Sequence, residues 1–165
     1  PLKDSVKENI FNVISHSNLF QINLNNAEVL DLYSGVGSFG LECISRGAKK
    51  ITFVEKNRAA LGVLNKNLSK LNIESQAKIV SDEIINFLLR KQITKYHIIF
   101  FDPPFAENKF IEELKLIREK KIYKNNHLII IHREKKSSDN FLNIIDPLVI
   151  KQYSRSKIIF AKFLN

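Results

Sequence analysis

The sequence predicts an α/β domain, a mostly parallel seven-stranded sheet with helices between its strands and an antiparallel hairpin at its end. Three observations predict it. Apolar runs of strand length alternate with segments of helical period, the layout of repeated βα units. Glycine or capping residues stand where strands give way to helices, as at Gly35–Gly40 and Asn57. The last two apolar runs are separated by only a short polar link, which suits a hairpin.

The elements follow in order. From Asp4 to Ser15, Val6, Ile10 and Val13/Ile14 recur at helical spacing behind an Asp-Ser cap signal, so an amphipathic helix opens the chain. Ala27–Tyr33 is the first strand, Ser38–Arg46 a helix that stops at Gly47, and Ile51–Glu55 the second strand. Asn57 caps the next helix, on which Leu61, Leu64, Leu68 and Leu71 form one apolar stripe. Ala77–Ser81, Asp82–Lys91 and Tyr96–Phe101 continue the strand, helix, strand rhythm. Glu107–Lys120 carries Phe110, Leu114 and Ile117 on one helical face, and His127–Ile131 is the fifth strand. Ile144–Tyr153 and Lys157–Phe163 form the hairpin around Ser154-Arg155-Ser156.

Composition bounds the rest. The 165 residues are 44% hydrophobic and 26% charged, which fits a single domain over 1–165, its helix 1–16 an N-terminal extension. Disorder, collagen and disulfide scaffolds are excluded. Cys43 is the only cysteine, so no intramolecular disulfide forms, and a reducing cytoplasmic compartment is expected. Apolar runs such as Ile98–Phe101 are far shorter than the roughly 20 residues that span a bilayer, which argues against a membrane protein. A monomer is expected, and from the lack of Met the natural N-terminus is expected to lie upstream of Pro1 or to have been trimmed. The net charge of +9 favours an acidic partner, nucleic acid first, through counterion release from phosphates.

Gly35-Val36-Gly37-Ser38-Phe39-Gly40 matches G-x-G-x-x-G between a strand and a helix, and Glu55 ends the following strand. Glycines let the backbone approach a ligand, and a strand-end carboxylate can take both ribose hydroxyls, so a nucleoside cofactor is implied. Asp31 separates the two cofactors that use this layout. An acid before the glycines repels a pyrophosphate but attracts the cationic amino-acid end of S-adenosylmethionine. The candidate cofactor residues are Asp31, Tyr33, Ser34, Gly35, Gly37, Glu55 and Lys56, with Asp82 as an acceptor for the adenine amine or, equally, a helix cap.

At the end of the fourth strand stands Asp102-Pro103-Pro104-Phe105. Paired prolines stop a central strand because neither donates to the ladder. The same constellation can methylate an exocyclic base amine. Asp102, which also borders the cofactor, and the Pro103 carbonyl each accept one N–H and free the nitrogen lone pair, Pro104 stiffens the turn, and Phe105 stacks on a base that is single-stranded or flipped out.

With Val29–Glu42, Ser45-Arg46-Gly47-Ala48, Phe53-Val54-Glu55-Lys56 and Asp102–Phe105, the chain resembles the RsmD family of bacterial ribosomal RNA methyltransferases. Pro1–Asn12 is similar to that family's Arg-Pro-Thr-x-Asp-x-Val-Arg-Glu-x-Leu-Phe-Asn segment, so the resemblance covers nearly the whole chain. It implies a class I, Rossmann-like methyltransferase fold. It also implies methyl transfer from S-adenosylmethionine to N2 of one guanine in small-subunit (16S) ribosomal RNA, usually within the assembled subunit. Asp31, Gly35, Gly37 and Glu55 fall on the family's cofactor positions, Asp82 on its adenine side, and Asp102–Phe105 on its catalytic tetrapeptide. Departures are Leu2 for the family's Thr, His132 for its usual strand-five Glu, and Tyr153-Ser154-Arg155-Ser156 for its Tyr-Gly-x-Thr hairpin.

Lys3, Lys7, Lys109, Arg133, Lys135, Lys136 and Arg155 are the candidate RNA contacts. His16, His97, His127 and His132 lack metal-ligand spacing, and Cys43 reads as a small buried residue. Three other readings stay open at this point. One is an adenine-N6 or cytosine-N4 methyltransferase acting on DNA or RNA. The others are a nicotinamide oxidoreductase and an RNA-binding module without catalysis.

Overall fold

The computed structural model describes residues 2–91 and 93–165. The element order is α1 (Asp4–His16), β1 (Glu28–Leu32), α2 (Ser38–Ser45), β2 (Lys50–Val54), α3 (Arg58–Lys70), β3 (Ala77–Val80), α4 (Ile84–Leu88), β4 (Tyr96–Phe101), α5 (Phe110–Lys120), β5 (Tyr123–Glu134), β6 (Ile145–Gln152) and β7 (Ser156–Phe163). The seven strands form one sheet in the order β3-β2-β1-β4-β5-β7-β6. Strands β1 to β5 pair in parallel, and β7 is antiparallel to both β5 and β6.

Side chains alternate across each central strand, so the sheet buries apolar groups on both faces. Val29, Ile51, Ile98, Phe100, Leu128 and Ile130 join the layer of α1, α2 and α3. Leu30, Leu32, Ile99, Phe101, Ile129 and Ile131 join the layer of α4 and α5. In the first layer Phe11 of α1 stacks on Phe39 at 5.3 Å, and Phe39 on Phe100 at 4.1 Å. Pro147 is tolerated in β6 because β6 is an edge strand with a register shift at that point.

Several sequence expectations need correction. Asp4 and Ser5 do not cap α1 but lie inside it, and the N-cap position is Lys3, without a side-chain bond. Leu71 falls past the end of α3 and is 57% exposed, whereas Leu61, Leu64 and Leu68 are buried as expected. Strand β5 begins at Tyr123 rather than His127; its half-exposed and exposed opening, Tyr123–Asn126, masks the strand period. The helix expected over 82–91 shortens to Ile84–Leu88. Asn57 does cap α3, accepting from Ala60 N at 2.9 Å, and Cys43 is fully buried.

Candidate functional site

The alternation that builds the core also aims the polar residues at the carboxyl ends of the strands. Asp31 shares parity with Val29, Asp102 with Phe100, and His132 with Ile130, so all three fall on the α1–α2 face of three adjacent strands. Asp31 is 1% exposed. Its Oδ2 accepts from Gly40 N at 3.1 Å, while its Oδ1 has no partner among the described residues. Burial, opposed by the Gly40 bond and reinforced by the charges of Asp102 and Glu55, pushes its carboxyl well above the usual range.

The loop after β1 turns through three left-handed residues, Tyr33 (φ 58°), Gly35 (φ 56°) and Gly37 (φ 87°). Gly37 is required twice over, since a Cβ there would also meet Leu64 Cδ1 at 2.4 Å. Glu55, just beyond β2, fastens this loop. Its Oε1 accepts from Gly35 N at 2.8 Å, and its Oε2 from Lys56 N at 3.0 Å and Asn57 N at 2.8 Å. Ser34 Oγ is a second buried oxygen without a partner among the described residues.

From there a narrow cleft runs between Tyr33, Glu55, Asp82 and Glu113. Tyr33 donates its hydroxyl to Glu113 Oε1 at 2.6 Å. Burial and then the bond to Glu113 raise the Tyr33 phenol, and burial raises the Glu113 carboxyl. Asp82 borders the cleft, but it does not cap α4, whose N-cap position is Glu83 without a side-chain bond. It accepts from Asn86 Nδ2 at 3.0 Å and Glu83 N at 2.7 Å, which lower its carboxyl. Lys56 pairs with Glu83 across 3.2 Å at the exposed rim.

Arg133 corrects the sequence reading. Rather than a cation facing RNA, it is 2% exposed, because four groups claim its guanidinium. It pairs with Asp139 at 2.8 Å, donates to the Pro104 and Phe105 carbonyls at 3.2 and 3.0 Å, and lies 4.6 Å over the Phe110 ring. The tetrapeptide is thereby held from behind. His132 Nδ1 meets Asp102 Oδ1 at 2.8 Å. Asp102 Oδ2 and the Pro103 carbonyl bond no described residue, and Phe105 stands 41% exposed with its ring edge-on to His132 at 5.5 Å.

Two adjoining cavities of about 790 and 500 Å³ meet at Phe105, Ser154 and Arg155. Lys135 and Lys136 border the larger and Lys3 the smaller, so four of the seven expected cations gather beside Phe105. Lys7 does not join them, because it turns inward and donates to Ser38 Oγ at 3.1 Å. Lys109 borders the cleft of Tyr33 and Glu113 instead. Sequence reasoning missed His132 and Glu113 as partners of Asp102 and Tyr33; their only signal was parity on β5 and on α5.

The donor set passes a chemical test. A buried carboxyl group and a serine hydroxyl whose oxygens no described residue bonds, with a strand-end glutamate, suit an ammonium and a ribose and disfavour a pyrophosphate. Together with this strand order, they define a class I S-adenosylmethionine-dependent methyltransferase. The family model described as conserved hypothetical protein 95 matches residues 1–162. A Haemophilus influenzae protein named ribosomal RNA small subunit methyltransferase D is 35% identical over 82% of this chain and 68% of its own length. A solved structure from Escherichia coli, provisionally named a methyltransferase, superposes with a TM-score of 0.85 at 26% identity, covering 98% of this chain and 87% of that one. One from H. influenzae, provisionally named a methylase, gives 0.80 at 30% identity and 98% coverage of both. The chain belongs to the RsmD family.

Proposed function

We propose that this protein methylates the exocyclic N2 amine of one guanine in small-subunit (16S) ribosomal RNA, within the assembled subunit and in the cytoplasm. Ribosomal RNA as the substrate class follows the name of the H. influenzae relative. One observation carries the site assignment. At adjacent strand ends, a buried acid with an unpartnered oxygen, Asp31, stands beside an acid and a carbonyl, Asp102 and Pro103, whose free oxygens face no described partner.

When bound, S-adenosylmethionine supplies an electrophilic methyl group on a sulfonium. Asp31, Ser34, Gly35 and Gly37 hold its amino-acid end, Glu55 its ribose hydroxyls, and Tyr33, Lys56 and Asp82 border the adenine. The target amine is a poor nucleophile because its lone pair is delocalised into the ring. Asp102 and the Pro103 carbonyl each accept one N–H and leave the lone pair free to form the new C–N bond. The surplus amine proton passes to Asp102 and on to water. Holding the reacting groups in line supplies about 7–11 kcal/mol of the barrier reduction, and stacking on Phe105 adds about 1–3 kcal/mol of binding. Lys3, Lys135, Lys136 and Arg155 take the phosphates flanking the flipped nucleotide.

The test is transfer of a labelled methyl group to unmodified small subunits, their stripped RNA and duplex DNA, with the products identified by mass spectrometry. N2-methylguanosine from subunits is the expected product. Methyladenine or methylcytosine in DNA, with no N2-methylguanosine in RNA, would overturn the reading. Asp102→Ala should slow transfer by about 10²–10⁴-fold, while S-adenosylhomocysteine still raises the melting temperature.

A further inference from the structure

The proposed chemistry needs Asp102 and Phe105 at fixed places, and one residue touches both. The parallel register of β4 and β5 pairs Phe101 with Ile131, so the next residues, Asp102 and His132, stand side by side at adjacent strand ends. Strand β7 covers His132 from the other side, with Ile158 opposite it, and His132 is 5% exposed. The sheet therefore holds the imidazole in place before any ligand arrives.

Two contacts leave this fixed ring. Asp102 enters the proposed reaction as a carboxylate, which only accepts hydrogen bonds, so the 2.8 Å contact is a donation from Nδ1–H to Oδ1. Nδ1 carries that hydrogen whether the ring is neutral or charged, so the bond does not depend on the state of the ring. With Oδ1 taken, Oδ2, which bonds no described residue, is the oxygen left for the amine. The second contact is with Phe105, whose ring meets the imidazole edge-on at 5.5 Å. Phe105 is 41% exposed, and among the described residues no other ring pairs with it. A carboxylate or a platform free to rotate would reach the target in many poses, and a misplacement of about 1 Å costs on the order of 100-fold in rate.

We infer that His132 is the positioning residue of the amine site, its Nδ1–H setting the Asp102 carboxylate for the amine and its ring backing Phe105 against the base. The inference rests on the proposed function.

Two substitutions separate the contacts. His132→Asn keeps an N–H donor near the place of Nδ1 and loses the ring, whereas His132→Phe keeps a ring and loses the donor. Single-turnover methyl transfer to unmodified small subunits, at saturating S-adenosylmethionine, reads a plateau rate and a half-saturating subunit concentration for each protein. In His132→Phe the plateau should fall by about 10–100-fold, with half-saturation within about 2-fold of native. In His132→Asn the plateau should stay within about 3-fold of native, while half-saturation rises several-fold because Phe105 loses its backing. Melting temperatures and S-adenosylhomocysteine binding of the variants exclude unfolding as the cause. A native plateau in His132→Phe, equal losses of rate in both variants, or an unmoved half-saturation in His132→Asn each overturns the inference while the methyltransferase reading stands. If the native protein makes N2-methylguanosine in no RNA, the proposed function falls instead, and this inference with it.

Discussion

The two halves of the sheet's carboxyl edge are built in opposite ways. On the side of β1 to β3, acids are buried or strapped down by backbone N–H groups, as Asp31 is by Gly40 and Glu55 by Gly35, Lys56 and Asn57. On the side of β5 to β7, Lys3, Lys135, Lys136 and Arg155 are exposed and surround open cavities. A small cofactor of fixed shape rewards a rigid cradle, whereas a large anionic partner that supplies its own structure needs only positive charge and one aromatic platform. Arg133 marks the boundary between the halves, a cation spent on holding the tetrapeptide rather than on phosphate.

The comparison can be broken most severely at that boundary. Arg133→Ala should destabilise the fold by about 3–5 kcal/mol, because the largely covered Asp139 loses its charge partner and keeps only Ser137, and the Pro104 and Phe105 carbonyls lose their donor. Chemical denaturation would measure it. If the loss were under about 1 kcal/mol, with RNA affinity falling instead, Arg133 would belong to the exposed half after all.

A smaller effect sharpens the rigid half. Asp31→Asn should weaken S-adenosylhomocysteine binding by about 100-fold in calorimetry, while raising the melting temperature of the ligand-free protein near neutral pH. The sign follows from the raised carboxyl of Asp31. Its folded pKa lies above the unfolded value of about 3.9. The native protein's stability therefore declines as pH rises from that value up to the folded pKa, and the asparagine variant lacks this decline. Binding of a cationic ligand should also strengthen as pH rises through the folded pKa.

The smallest effect belongs to the exposed half. Arg155→Ala and Lys135→Ala should each lower RNA affinity several-fold and reduce the salt slope of log affinity by about one, without changing kcat at saturating RNA. Filter binding from about 50 to 200 mM salt reads this directly. A fall in kcat with an unchanged salt slope would place these residues in the rigid half.

What was legible in the sequence follows the same division. The glycine loop, Glu55 and Asp102–Phe105 are contiguous signals, because backbone turns and strand ends are local properties, and their elements fall within a few residues of expectation. The open half assembles Lys3, Phe105, His132 and Arg155 from four distant segments, which no window of sequence can align. Arg133 was misread for that reason. A charged residue near a strand end reads as solvated until Asp139 and the carbonyls of Pro104 and Phe105 are brought to it. Lys7 reads as exposed until α1 docks over Ser38.

The docking of α1 also has a consequence for synthesis. Val6, Ile10, Phe11 and Ile14 share their apolar layer with Ile158 and Phe160 of β7, and Phe20 stacks on Phe160 at 5.9 Å. These contacts span most of the chain, the arrangement that slows folding because long loops must close before contacts reward them. Helix α1 leaves the ribosome well before β7 and is therefore without its full cover until that strand has been made. Through that interval its greasy face is a natural handhold for a chaperone.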